Sequence, residues 1–329
     1  MEAAALHRDA LVLDGHCDTV LGLLAGRDFL QGGPEGQVDL PRLRAGGVKV
    51  QIFALFVEGE YKPDRALARV LRLWDALAQT IAASAGQVVL CRSAAELDAA
   101  VAAGRLAAIL SVEGAEPIGT DLSLLRALHA LGVRALGLTW NQRNAIADGA
   151  GEVRANGGLT EFGREAVAEC ERLGIVVDVS HLCERAFWDV LGVARGPVIA
   201  SHSNARALCD HVRNLHDAQI RALAAAGGVM GMNFFPLFLD ADPARVDVAR
   251  VCDHIDHIQA LVGPGHVGLG SDFDGISSTP RGLEDCSRLP ALTEELLRRG
   301  HGEAEVRGIL GGNFLRVLRQ VWGAGRPPV

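Results

Sequence analysis

Five side chains of metal-binding type stand at comparable places in this chain. His16, Glu113, His181, His202 and Asp272 each follow closely on a run of apolar, β-prone residues. Asp18 joins His16 two positions on, and on an extended backbone such a pair points to one face and can chelate a cation. Glu113 leaves Ala107-Ala108-Ile109-Leu110-Ser111-Val112, a stretch suited to full burial, and a buried carboxylate needs a cation or several donors. Taken singly, the His-x-Asp pair also suits a surface turn, Glu113 a helix cap or an arginine partner, and a lone histidine a satisfied polar group. His181 and His202 at equivalent ends of adjacent strands converge in space, and neutral imidazole is a common zinc donor.

Together His16, Asp18, Glu113, His181 and His202 suffice for two divalent ions about 3.5–4 Å apart, with Glu113 as the natural bridge. A carbamylated lysine is the other way to bridge such a pair, but the only lysines are Lys49 and Lys62, neither at a suitable strand end. Gly270-Ser271-Asp272-Phe273-Asp274-Gly275 ends the last apolar segment with two carboxylates. It lacks the ligand spacing and final Glu of a calcium-binding helix–loop–helix. Beside two metals, Asp272 suits a general base that takes a proton from water and returns it to a leaving amine, with Asp274 supporting it.

Eight apolar segments carry these ends: Leu11–Gly15, Val48–Phe56, Leu106–Val112, Val133–Thr139, Gly174–Ser180, Pro197–Ser201, Val229–Asn233 and Val267–Ser271. Helical periodicity fills most gaps, over Asp64–Ala85, Asp121–Leu131, Thr160–Leu173, Leu182–Leu191, Asp217–Ala226 and Val248–Leu261. Wholly apolar strands alternating with helices imply a parallel sheet buried on both faces, and eight such units predict an α/β fold of the (β/α)₈ TIM-barrel type. A doubly wound open sheet would announce a Gly-rich phosphate turn after its first strand, where this chain has Asp14-Gly15-His16-Cys17-Asp18. No linker divides residues 1–329, so one barrel domain is expected. Extra C-terminal helices follow over Pro290–Trp322, amphipathic from Glu303 to Val321, packed outside the barrel or in a dimer contact.

The 329 residues are 49% hydrophobic and 22% charged, which excludes a disordered chain, and the net charge of −8 with no basic cluster argues against nucleic acid. Seven scattered cysteines without a C-x-x-C pair suit a reducing compartment. The first ten residues lack an apolar leader core, so the cytoplasm is expected. Ala222–Leu239 is uncharged and long enough to consider as a membrane span, but Gly227-Gly228, Asn233 and Pro236 interrupt it, so no membrane association is expected.

Read in order, Asp14-Gly15-His16-Cys17-Asp18, Val112-Glu113-Gly114, Asp178-Val179-Ser180-His181, Ser201-His202-Ser203, Arg213-Asn214 and Ser271-Asp272-Phe273-Asp274-Gly275 resemble the renal (membrane) dipeptidase family of metallopeptidases, across nearly the whole chain. The resemblance implies a dinuclear zinc dipeptidase acting on small dipeptides, with a D-residue tolerated at the C-terminal side. It implies that His16 and Asp18 hold one zinc, His181 and His202 the other, that Glu113 bridges them, and that Asp272 is the proton shuttle. Arg213 is then the guanidinium that receives the substrate carboxylate, and a homodimer is expected. Mn²⁺ or Co²⁺ could occupy the same ligands.

The chain departs from the mammalian pattern at two substrate-facing positions. Trp140 stands where those enzymes carry a histidine after the fourth strand, leaving its indole N–H or Asn141 to meet an oxyanion, and Phe235 replaces a tyrosine after the seventh. These changes keep open a different substrate on the same metals: a lactam, an N-acyl amino acid or a biosynthetic intermediate. A barrel retained only as a metal-binding module is the remaining alternative. The glycine-rich stretch from Asn141 to Gly158 is expected to lie over the barrel mouth, and His129, His254 and His257 to serve structure.

Overall fold

The apolar segments become parallel strands in the computed structural model of the protein, which describes residues 2–324. They are β1 (Val12–Cys17), β2 (Val48–Phe56), β3 (Val88–Leu90), β4 (Leu106–Glu113), β5 (Val133–Gly137), β6 (Val176–Asp178), β7 (Ile199–Ala200), β8 (Val229–Met232) and β9 (Val267–Leu269). Neighbours run β2-β1-β9-β8-β7-β6-β5-β4, and β2 pairs with β4 from Val50–Ala107 to Phe56–Glu113, which closes eight strands into a barrel. β3 is an addition that the sequence reading did not contain. It pairs with Leu106–Ala108 of β4, on the edge that β5 takes over from Leu110 onward. Three residues are too few to show a period.

Helices fill the gaps as the periodicity predicts, at Ala66–Ala83, Leu122–Leu131, Glu161–Leu173, Glu184–Val193, Asp217–Ala225 and Val248–Val262. Side chains of Asp121, Thr160 and Asp247 cap three of them by accepting backbone N–H groups of the first turn. The uncharged stretch over 222–239 divides into a helix end, β8 and the short helix Pro236–Leu239. Among the described residues no helix is long and apolar enough to cross a membrane.

The C-terminal segment differs from expectation. In place of one amphipathic helix from Glu303, the chain forms Glu303–Arg307, a π-helical turn at Gly308–Gly312 and a last helix, Asn313–Ala324. That helix covers the bottom of the barrel. Its Phe314, Val317 and Leu318 join Leu13, Val50, Ile109, Val176 and Val229 in one buried cluster. Phe314 requires glycine at 15 and 268, where a Cβ would lie 2.7 and 2.5 Å from its ring. The amphipathic face thus has its partner within the chain, and the opposite end of the barrel is left for chemistry.

Candidate metal centre

Strand ends place the six chemical side chains together. His16 lies in β1 and Asp18 just beyond it, Glu113 is the last residue of β4, and His181, His202 and Asp272 follow β6, β7 and β9. His16, Asp18, Glu113, His181 and His202 are all buried. His181 and Asp272 hold positive φ, 68° and 63°, an unfavourable conformation for residues with a Cβ, which aims their side chains inward at a cost in backbone strain.

Glu113 stands between two sets of donors. Its Oε2 lies 3.4 Å from His16 Nε2, which is itself 3.4 Å from Asp18 Oδ2 and 3.8 Å from Asp272 Oδ1. The other oxygen, Oε1, lies 3.0 Å from His181 Nε2 and 3.7 Å from His202 Nε2. Donor atoms sharing one tetrahedral zinc lie about 3.4 Å apart, given bonds of about 2.0–2.1 Å. The first set is close to that spacing, and the contacts of the second run from 2.8 to 3.7 Å around it.

The outer nitrogens of two rings settle what the inner ones present. The Ser201 hydroxyl donates to Asp178 Oδ2 at 2.5 Å, so it accepts from His202 Nδ1, 2.7 Å away. Asn141 Oδ1 accepts from His181 Nδ1 at 2.8 Å. With the proton on Nδ1 in each ring, both Nε2 atoms carry lone pairs, yet they face each other at 2.8 Å, with Glu113 Oε1 beside them. Three acceptors so placed repel unless a cation lies among them. His16 Nε2 and Asp18 Oδ1 also have no hydrogen-bond partner though buried. The donor set therefore fits a pair of divalent ions.

The titration behaviour has the same sense. Burial, with Arg213 adding, pushes His181 down to about 3, and burial also lowers His202 well below the usual imidazole range. Both rings stay neutral, as metal ligands must. Burial opposes charge on His16 as well, but Glu113 and Asp18 override it and hold its pKa well above the ordinary value. Burial raises Asp18 to about 8, with Glu113 adding, and raises Asp272 to about 6 against the pull of His16. Positive charge is wanted where His16, Asp18 and Glu113 meet.

The remaining residues named from sequence surround a cavity of about 330 Å³ over this centre, lined by Phe56, Trp140, Asn141, Arg213, Phe235 and Asp272, among others. Arg213 is buried, donates from Nη2 to the His202 carbonyl at 3.0 Å, and leaves Nε without a partner. Asn141 is committed through its oxygen to His181. Phe235 packs edge-on against Phe238. Asp272 accepts from Asn233 Nδ2 at 2.8 Å. Asp274 is fully engaged: Thr19, Arg27 and the Gln37 backbone N–H all donate to it, tying the 27–37 loop to the mouth.

Two functional carboxylates escaped the sequence reading. Asp178 Oδ1 accepts the backbone N–H of Ser180 and Ser201, each at 2.9 Å. Asp14 does the same for Ser271, accepting its N–H at 2.8 Å and its hydroxyl at 2.6 Å. These side chains take over where the strand ladders of β6, β7 and β9 stop, which is why those strands end earlier than their apolar runs. An aspartate inside an apolar strand, as in Val176-Val177-Asp178-Val179, was the available signal.

Comparison with known proteins agrees with this geometry. The family described as membrane dipeptidase (peptidase family M19) matches residues 1–326. Dipeptidase 3 of Rattus norvegicus is 36% identical over 333 residues, 97% of this chain and 67% of its own length. Dipeptidase aclJ of Aspergillus oryzae is 39% identical over 298 residues, 87% of this chain and 70% of its own. Among solved structures, a metallo peptidase from Rhodobacter sphaeroides, liganded with a phosphinate mimic of the dipeptide L-Ala-D-Ala, superposes with a TM-score of 0.91 at 34% identity, covering 95% of this chain and all of that one.

Proposed function

From the premise that the chain belongs to the membrane dipeptidase family and is a metal-dependent dipeptide hydrolase, we propose that it uses two zinc ions, one held by His16 and Asp18, the other by His181 and His202, with Glu113 shared. The observation that carries this reading is that one oxygen of Glu113 faces His16 Nε2 while the other faces the Nε2 atoms of His181 and His202. When bound, the cations supply Lewis acidity, acidifying water and polarising the scissile carbonyl.

The chain's own groups do the rest. Arg213, buried with an unused Nε–H, takes the substrate's C-terminal carboxylate. Asn233 holds Asp272 by one oxygen and leaves the other toward His16. Asp272 accepts the proton released as water adds to the carbonyl carbon, and returns it to the amine nitrogen as the C–N bond breaks. Phe56, Trp140 and Phe235 give the cavity an apolar wall that limits water around the reacting bond. All seven cysteines are free and buried, which supports a reducing, cytoplasmic setting, and a homodimer remains our expectation.

The test is release of amino acids from a panel of dipeptides with L or D C-terminal residues, using zinc-loaded protein and a chelated control. Metal-dependent cleavage of several members supports the reading; silence across the panel with two metals bound rejects it. Trp140 and Phe235 motivate a second reading, a lactam or N-acyl substrate on the same metals. Arg213→Ala separates the two: it should raise KM roughly 10- to 100-fold for a dipeptide carrying a free carboxylate, and leave a substrate without that group unaffected.

A further inference from the structure

Lys62 lies behind the aromatic wall of the cavity, 54 residues before the carboxylate it meets in Glu116. Its Nζ is 3.2 Å from Glu116 Oε1, and it sits 5.5 Å from the centre of the Phe56 ring and 5.4 Å from that of Trp140. The two rings are 5.3 Å apart, and Trp140 lies 5.8 Å from the His181 ring on its other flank. The Lys62 side chain is 10% exposed and that of Glu116 3%. An ammonium and a carboxylate taken so far from water are expensive to keep, and nothing proposed for the reaction uses them.

The backbone is shaped to admit the pair. Gly114 adopts φ +86°, and a Cβ there would come within 2.3 Å of Glu116 Oε2. Glycine after Glu113 thus leaves room for a second carboxylate, three residues on, to turn behind Trp140. Neither Nζ nor either Glu116 oxygen has a hydrogen-bond partner of good geometry. The ammonium is held by one ion pair and two π faces, an arrangement that fixes the rings as much as the cation.

We propose that Lys62 is a positioning residue: paired with Glu116, it pins the Trp140 indole and the Phe56 ring, inclined at 55° to each other, as one aromatic corner of the substrate cavity, so that the enzyme favours dipeptides with an apolar or aromatic side chain facing that corner. The kinetic part rests on the dipeptidase reading above; the positioning part does not. Lys62 touches neither substrate nor the metal ligands and acts only through the rings.

The test compares wild type with Lys62→Met/Glu116→Gln, which removes both charges together and leaves no buried ion unpaired, and with Lys62→Arg, which keeps the cation. In the zinc-loaded double variant, KM for dipeptides bearing Leu or Phe should rise about tenfold while kcat stays within about twofold, and Lys62→Arg should restore most of the difference. Gly-Gly should respond little, flattening the side-chain preference. The Trp140 part of the tryptophan emission, obtained by subtracting a Trp140→Phe spectrum, should shift to the red in the double variant and not in Lys62→Arg.

An unchanged Trp140 emission together with unchanged KM ratios in folded, metal-loaded double variant would overturn the proposal. So would loss of metal in step with kcat, which would make the pair a support of the metal centre. If the double variant does not fold, Lys62→Met/Glu116→Leu, which likewise leaves no buried ion unpaired, gives the same two readouts. If wild type cleaves no dipeptide, the functional reading fails, and the emission still decides whether Lys62 positions Trp140.

Discussion

His202 and His254 are both buried imidazoles, held neutral by burial, and they do opposite things. His254, on the helix Val248–Val262, accepts the Ala205 N–H at Nδ1, 3.2 Å away, and donates from Nε2 to the Leu239 carbonyl at 2.9 Å. Both ring nitrogens are satisfied within the chain, and the ring ties the loop at Ala205 and the end of the short helix Pro236–Leu239 to the helix Val248–Val262. His202 is satisfied only on its outer nitrogen, and its inner lone pair meets that of His181. Burial and a lowered pKa are common to both. What separates a structural histidine from a metal-ligand candidate here is convergence of lone pairs with no donor among the described residues to receive them.

The largest effect that can sharpen this contrast comes from removing each ring in turn. His202→Ala should lower metal affinity by at least roughly 100-fold, since loss of a mere supporting partner already costs 10–100-fold, and dipeptide cleavage should fall to the chelated background. His254→Gln, which keeps a donor toward Leu239, should retain both metals and turnover and lose only about 1 kcal/mol of stability. Metal analysis and denaturant unfolding of the two variants measure the difference.

A pH series probes the satisfied ring by itself. Burial pushes His254 down to about 4, while in the unfolded chain it titrates near the ordinary imidazole value of about 6.5. Between those values the unfolded state binds the proton first, so stability is full above about 6.5 and falls as pH drops toward 4, by roughly 3 kcal/mol at most. Unfolding of wild type and His254→Gln with chelator present throughout should show the steeper acid loss in wild type. Equal slopes would remove His254 from the account.

The smallest change acts at one remove. Ser201→Ala deletes the hydroxyl between Asp178 and His202 Nδ1. It should weaken metal at the His181–His202 pair by about 10–100-fold and leave the His16–Asp18 pair nearly untouched. A titration in which both equivalents weaken together would mean that the two halves are not separately supported.

Much of this was legible in the sequence, because in a barrel a strand end is a place in space as well as in the chain. His16, Glu113, His181, His202 and Asp272 stood out because each closed an apolar run. Asp14 and Asp178 interrupt apolar runs, but their role did not show, because it depends on N–H and hydroxyl groups of serines just beyond strand ends, brought to them by closure of the barrel. β3 is too short to show a period, and the last helix's amphipathic face could not reveal that its partner is the barrel bottom. Lys62 lies in a turn and Glu116 opens a 3-10 helix far along the chain, and the room for their pairing comes from a glycine with positive φ at 114. Local pattern carried the strands and helices; contacts set by closure of the barrel did not appear in it.

Cations among the inward lone pairs of His16, His181 and His202 are the central requirement of this site. Zinc titrated into chelator-treated protein, with bound metal counted by mass spectrometry and cleavage of a dipeptide followed at each step, tests this directly. Two equivalents should bind, and cleavage should track the second. Binding well below one equivalent, or cleavage indifferent to chelator, would contradict it.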